Sequence, residues 1–136
     1  TTNGHSPADP IDVPANARLY GWLRYSQVMA AADLVVCHGG HGTVARALGV
    51  GTPVLVCPAV GDMAENGARG GWAGVGLALP WRLLGARTLR VAVRRMLGDG
   101  GFAERAAEVA AWGRANDGAA RGAELVQRFA RDLGSF

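Results

Sequence analysis

The stretch DLVVCHGGHGTVARAL, residues 33–48, decides how this chain is read. It opens as an apolar run too short for a helix, which predicts a buried strand over residues 33–37. It closes with Val44, Ala45 and Leu48 at helical spacing, which predicts a helix over residues 42–48 ended by Gly49 and Gly51. Between the two stands His-Gly-Gly-His-Gly-Thr, residues 38–43. A helix N-terminus carries unpaired N–H groups and about half a positive charge, and glycines there let an anion approach the backbone. Gly39, Gly40 and Gly42 bracket that point, Thr43 adds a hydroxyl and His38 a further donor. The turn is built for a phosphate or diphosphate.

The pattern continues outward. Residues 1–16 are polar and Pro-rich and read as a leading loop. A short strand over residues 18–20 and a short helix over 25–31 follow. Beyond the central stretch come a second buried strand over 54–57, stopped by Pro58, a helix over 63–69 and a strand over 75–79. Three helical patterns then cover 87–97, 102–112 and 118–133, broken at Gly98-Asp99-Gly100-Gly101 and at Asn116-Asp117. Strands alternating with helices predict an α/β fold, a Rossmann-like parallel sheet with flanking helices. A parallel sheet needs both faces and its central strands covered, and about four short strands are few for that. The expectation is one domain over residues 17–136 that lacks its first strands, the back part of a larger α/β unit.

Composition narrows the class. The 136 residues are 49% hydrophobic, enough for one core, and no apolar run approaches the roughly 18–20 residues of a membrane span. No basic-then-apolar leader opens the chain, and Cys37 and Cys57 lie in apolar runs, so buried thiols in a reducing cytoplasm are expected. The net charge is +3 and all 14 basic residues are Arg, which with 21 Gly suggests a GC-rich, actinobacterial type of genome. The arginines spread along the second half without aromatics, a solvated helical face rather than a nucleic-acid patch.

Four ligand chemistries compete for the glycine turn. A P-loop needs a lysine, and the chain has none. A lipase-type oxyanion hole needs Gly-x-Ser-x-Gly, and Ser6, Ser26 and Ser135 are out of frame. Zinc on His38, His41 and Cys37 would have two glycines inside its ligand loop and no further Cys/His cluster. The dinucleotide fingerprint is matched by Gly40-x-Gly42-x-x-Ala45 with Asp62 about 20 residues on, although Asp62 falls in a loop beyond Pro58.

Four blocks in order carry a resemblance: Trp22-Leu-Arg-Tyr25, His38-Gly-Gly-His-Gly-Thr43, Gly51-Thr-Pro53 and Pro58-Ala-Val-Gly-Asp62-Met-Ala-Glu-Asn66. They resemble the nucleotide-sugar signature in the C-terminal domain of GT-B glycosyltransferases, nearest to the UDP-glycosyltransferase superfamily and its bacterial natural-product branch. The family pattern there is Trp-x-Pro-Gln, His-x-Gly-x-Gly/Asn-Thr/Ser, Gly-x-Pro and Pro-x-x-x-Asp-Gln-x-x-Asn. Gly74-Val-Gly76 and Asp117-Gly118 extend the likeness over most of the chain.

The resemblance implies the incomplete C-terminal domain of a GT-B fold and roles for particular residues. Trp22 would flank the base, and His38 would contact a phosphate. The backbone of Gly40, His41 and Gly42 and the Thr43 hydroxyl would hold the diphosphate, and Asp62 the donor-sugar hydroxyls. Packing alternatives stand beside these roles: Trp22 as a core aromatic, His38 as a packed histidine, His41 as a solvent residue, Asp62 as a helix N-cap. This chain also departs from the pattern. Arg24 and Tyr25 replace Pro-Gln, so Tyr25 would stack instead. Arg46 stands where plant enzymes carry a ribose-binding Glu, and Met63 replaces a Gln that reads sugar hydroxyls. Both changes suit a dTDP-deoxysugar donor, with UDP-sugars the other choice.

The implied reaction is an inverting, metal-independent transfer of a hexosyl or deoxysugar group to a small hydrophobic acceptor. The chain has no Asp-x-Asp for a metal, no cofactor is implied, and His38 and Thr43 would stabilise the leaving diphosphate. The acceptor and the general base would belong mainly to an N-terminal domain, His5 being a poor substitute, so this piece alone is expected to be inactive. The missing strands would come from another polypeptide or have been lost by truncation, and a homodimer is an allowed assembly. A non-catalytic nucleotide-sugar-binding partner subunit and an NAD(P)-binding oxidoreductase fragment are the alternatives.

Overall fold

The computed structural model describes residues 12–133. His5 and most of the expected leading loop lie outside them. Three short parallel strands, β1 (Val35–Cys37), β2 (Val54–Val56) and β3 (Gly76–Ala78), form one sheet in that order. Val35, Val36 and Cys37 pair with Val54, Leu55 and Val56, which pair in turn with Gly76, Leu77 and Ala78. β2 is central and fully buried, as an uninterrupted apolar run of β-branched and aliphatic residues should be.

Each crossover is helical. α2 (His41–Gly49) joins β1 to β2 and α3 (Met63–Trp72) joins β2 to β3. Two successive right-handed crossovers in one direction put both helices on the same face of the sheet. Val54 and Val56 meet them there, in a core with Met29 and Ala47. α1 (Tyr25–Val28) and a 3-10 turn (Met29–Ala31) close this face, and the buried Thr52 hydroxyl ties the turn down by donating to the Met29 carbonyl at 2.6 Å. Leu55 points to the opposite face, packed with Met96 of α4 (Ala86–Gly98) and Phe102 of α5 (Gly101–Ala115). α5 also reaches α2 through the buried Ala106 and Ala110. α6 (Gly118–Leu133) starts where the Asp117 carboxylate accepts from the N–H groups of Ala119 and Ala120, and leaves Leu125, Val126 and Phe129 exposed.

The expected strand at residues 18–20 does not form. That segment carries no strand pairing although β1 has a free outer edge among the described residues, and Leu19 and Tyr20 are exposed, so no buried face or partner strand holds it extended. The described sheet therefore has three strands, and a 3-10 turn at Trp81–Leu83 was not read from the sequence.

The two cysteines sit on adjacent strands but on opposite faces. Cys37 is level with Val56 and packs against the α2 face, whereas Cys57 follows Val56 and packs against the α4 face. Burial pushes both thiols above their ordinary value, more than the N–H of Gly39 lowers Cys37. For an acid with a raised pKa, the stabilising contribution is present below the ordinary value of 9.0 and is lost as pH rises through the raised values. Iodoacetamide labelling at neutral pH should be slow at both positions and accelerate only above that value. Fast labelling at neutral pH would contradict the packing described.

β2 and β3 approach so closely at Gly76 that a side chain has no room: a Cβ there would run into the Val54 carbonyl oxygen, a backbone atom that cannot move aside. Gly113, in the interior of α5, faces open space. Gly76→Ala should cost about 3 kcal/mol or abolish folding, whereas Gly113→Ala should gain about 0.5–1 kcal/mol. Urea denaturation of the two variants should move the midpoint in opposite directions.

Candidate functional site

The site forms where β1 ends and α2 begins. After Cys37 the chain turns through Gly39, whose φ of +92° is open to glycine and few others. A Cβ there would also lie 2.5 Å from Val56 Cγ1 and 2.9 Å from the Met63 carbonyl oxygen. The first turn of α3 is thus pressed against this loop. Asn66, one turn into α3, donates from Nδ2 to the Gly39 carbonyl at 2.9 Å. Asn66 was quoted from the sequence as part of a motif with no role attached, and its side chain locks the glycine turn.

Gly40 is the N-cap of α2. Its missing side chain makes space for His38, because a Cβ on Gly40 would lie 2.6 Å from His38 Nε2. The imidazole therefore folds over the start of α2 and holds Nε2 beside the helix N-terminus. His38 is exposed, which disposes of the packed-histidine alternative. The first N–H groups with helical acceptors are those of Thr43 and Val44, both to the Gly40 carbonyl. The N–H groups of His41 and Gly42 are left without an acceptor among the described residues. A Cβ on Gly42 would meet nothing within 4 Å, so the ground in front of those donors is open.

Beside them lies a cleft of about 660 Å³. Residues 22–26 form one wall, and His38, Thr43 and Arg46 the other. Trp22, Arg24, Tyr25, His38, Thr43 and Arg46, singled out from separate blocks of sequence, are thereby brought together, with Leu23 and Ser26 added by the fold. Trp22 is 70% exposed, so it is no core aromatic. Arg24 and Arg46 form no ion pair with any described residue, and no carboxylate of the described residues lines the cleft. Its volume lies within the range of small-ligand sites.

Asp62 and Met63 do not line this cleft. Asp62 is exposed at the start of α3 and occupies the N-cap position without a side-chain capping bond, so the capping alternative is not realised. Met63 is half-buried, with its backbone and Cβ against Gly39. His41 is exposed at the first position of α2. His38, His41 and Cys37 are not gathered into a metal-binding cluster among the described residues. The dinucleotide fingerprint uses its last small residue to bring helix and strand close. Here Ala45 is exposed and Ala47 is the buried contact, so that physical reason is missing.

Comparison with known proteins supplies the relationship. The family model described as erythromycin biosynthesis protein CIII-like, C-terminal domain, matches residues 2–130. The 4'-demethylrebeccamycin synthase of Lentzea aerocolonigenes is 31% identical over 122 residues, which is 90% of this chain and 29% of that protein. Among solved structures, the glycotransferase of kitacinnamycin superposes with a TM-score of 0.80 at 28% identity, covering 89% of this chain and 32% of that one. Glycosyltransferase VinC, solved in complex with dTDP, superposes with a TM-score of 0.70 at 26% identity over 73% of this chain and 25% of its own. The chain spans about a third of the length of these relatives. With residues 2–130 matched to it and glycosyltransferases among its structural neighbours, the chain belongs to the erythromycin biosynthesis protein CIII-like family, of which it carries the C-terminal domain.

Proposed function

We propose that this domain is the donor site of a glycosyltransferase that moves a deoxysugar or hexose from a dTDP- or UDP-sugar to a small hydrophobic acceptor. The observation that carries the reading is the cleft itself, where Trp22 and Tyr25 stand over an N-terminus of α2 already furnished with His38 and Thr43. In this reading the base lies against Trp22 and Tyr25. The diphosphate sits on the N–H groups of Gly40, His41 and Gly42, with the Thr43 hydroxyl and His38 as added donors. The sugar projects past Gly39 toward Asp62 and Met63.

Breaking the sugar–phosphate bond places growing negative charge on the diphosphate. Donors fixed in advance around that charge lower the barrier without having to reorganise. A helix N-terminus, an imidazole and a hydroxyl do this without a metal, and attack from the opposite side of the sugar inverts its configuration. The acceptor and the base that deprotonates it belong to the remaining part of the protein, consistent with a chain about a third as long as its relatives. β1 pairs only with β2 among the described residues, so further strands on its outer edge would complete the sheet. No described helix is long and apolar enough to cross a membrane, and two free thiols, each half-buried, suit the cytoplasm, where we place the protein. A homodimer is the simplest assembly that would cover the exposed Trp72 and Trp112.

In the full-length protein, His38→Ala should lower kcat by about 100-fold with the fold intact by circular dichroism, and turnover should survive EDTA. Unchanged kinetics would remove His38 from the site, and loss of activity in EDTA would remove the metal-free mechanism. Gly42→Ala separates stability from binding. It fills open space in the first turn, so the melting temperature should hold or rise. The added methyl blocks the approach to the helix N-terminus, so the donor KM should rise about tenfold, the effect of a displaced charge-assisted hydrogen bond. A parallel fall in melting temperature would mean that Gly42 serves the fold instead.

A further inference from the structure

We infer that Thr52 is a positioning residue for the donor: from beneath the cleft, its hydroxyl holds the aromatic wall at the distance from α2 that a nucleotide spans. The inference rests on the donor-site reading above, which puts the base against Trp22 and Tyr25 and the diphosphate at the start of α2. Thr52 is the buried polar side chain among the described residues, 4% exposed. It stands between Gly51 and Pro53, at the position that the Gly-x-Pro pattern leaves open. Two bonds leave it in two directions. Its N–H donates to the carbonyl of Ala47, near the end of α2, at 2.9 Å. Its hydroxyl donates to the carbonyl of Met29, 23 residues away in the 3-10 turn that follows α1, at 2.6 Å. α2 carries Thr43 and Arg46 of one cleft wall, and the other wall, residues 22–26, runs into α1. One residue thus joins the elements behind both walls.

The aromatic wall needs a hold from outside itself. α1 is four residues long, and its N-cap makes no side-chain bond. A helix that short does not keep its place without tertiary support. Packing of Tyr25 and Met29 against Ala47, Val54 and Val56 supplies burial, but burial has no direction. A hydroxyl–carbonyl bond is directional, and it fixes where the turn stands and how α1 leaves it. Thr52→Val keeps the N–H to Ala47 and the branched shape, and removes only the bond to Met29. The Met29 carbonyl keeps the Ala32 N–H at 3.2 Å, so no buried acceptor is left unpaired and the variant should fold. What it loses is the placement of the wall relative to the start of α2, which a ligand reaching both will feel.

The probe is dTDP or UDP, whichever the full-length wild-type protein binds more tightly, titrated calorimetrically. Thr52→Val should raise its Kd about tenfold, the worth of a stacked base partly lost. Thr52→Ser restores the hydroxyl and should bind within about threefold of wild type. Thr52→Cys puts a weak thiol donor in the same space and should fall between the two. A Thr52 that served stability alone has another signature: unfolded molecules lower the binding stoichiometry and leave the Kd of the folded ones as it was. Circular dichroism would verify that each variant folds. An unmoved Kd in Thr52→Val, or in Thr52→Cys where the valine variant does not fold, overturns the inference alone. So does a Thr52→Ser variant that binds as weakly as Thr52→Val. Failure of folded wild-type protein to bind either nucleotide overturns the donor-site reading and the inference with it.

Discussion

The hydrogen bond from Asn66 to the Gly39 carbonyl is the constraint on which the rest of the site depends. It joins the turn between β1 and α2 to the first turn of α3, the helix of the next βαβ unit. Gly39 can take its left-handed turn with Val56 and Met63 against it only because it lacks a side chain. That turn in turn fixes where α2 begins. A carbonyl pinned at 2.9 Å holds the loop that aims the first N–H groups of α2, and the space over Gly40 admits the His38 ring. Helix dipole, imidazole and hydroxyl therefore meet at one point because the backbone beneath them has no freedom to move them apart.

The packing beneath explains why this point lies at the carboxyl end of the sheet. β2 is buried on both faces, and each crossover must leave the sheet at the ends of the strands. Gly67 allows α3 to rest on Val56 and Ala78, and Gly76 allows β3 to close on Val54. These contacts are tight enough that a methyl group would be felt. The glycines of the motif divide accordingly. Gly39 and Gly40 are filled by neighbours within the chain, whereas Gly42 faces open space. The first two build the turn, and the third keeps its approach clear.

Much of this was legible in the sequence. Apolar runs at residues 33–37 and 54–57 gave strands because buried parallel strands show no alternation, and Gly and Pro punctuated the helices to within a few residues. The reading of the 38–43 turn as an anion cradle rested on glycine, hydroxyl and imidazole at a strand-to-helix switch, and the switch itself lies where the sequence put it, between β1 and α2. The strand expected at residues 18–20 does not form although the outer edge of β1 is free among the described residues, because a three-residue segment with Leu19 and Tyr20 exposed buries nothing that would hold it extended. The cleft was only half legible. Trp22, Arg24, Tyr25, His38, Thr43 and Arg46 carried motif positions, whereas Ser26 and the filler position Leu23 line it through the packing of this segment beside α2, which no local pattern encodes. Asn66 was visible as a letter of a motif, but its bond spans 27 residues and its purpose is a matter of three-dimensional closure.

The electrostatics of the two sides of the turn differ in kind. Among the described residues, every charged group lining the cleft is a guanidinium, and neither Arg24 nor Arg46 is neutralised by a described neighbour. Asp62, outside that lining, presents a carboxylate that does not cap its own helix. A cationic wall attracts an anion, while a free carboxylate accepts from hydroxyls and repels phosphate. In the donor reading proposed above, a diphosphate at the start of α2 keeps its place whichever way the molecule lies. The choice of direction therefore falls to the two ends: the flat base suits the aromatic wall of Trp22 and Tyr25, and the hydroxyl-rich ring suits the carboxylate of Asp62.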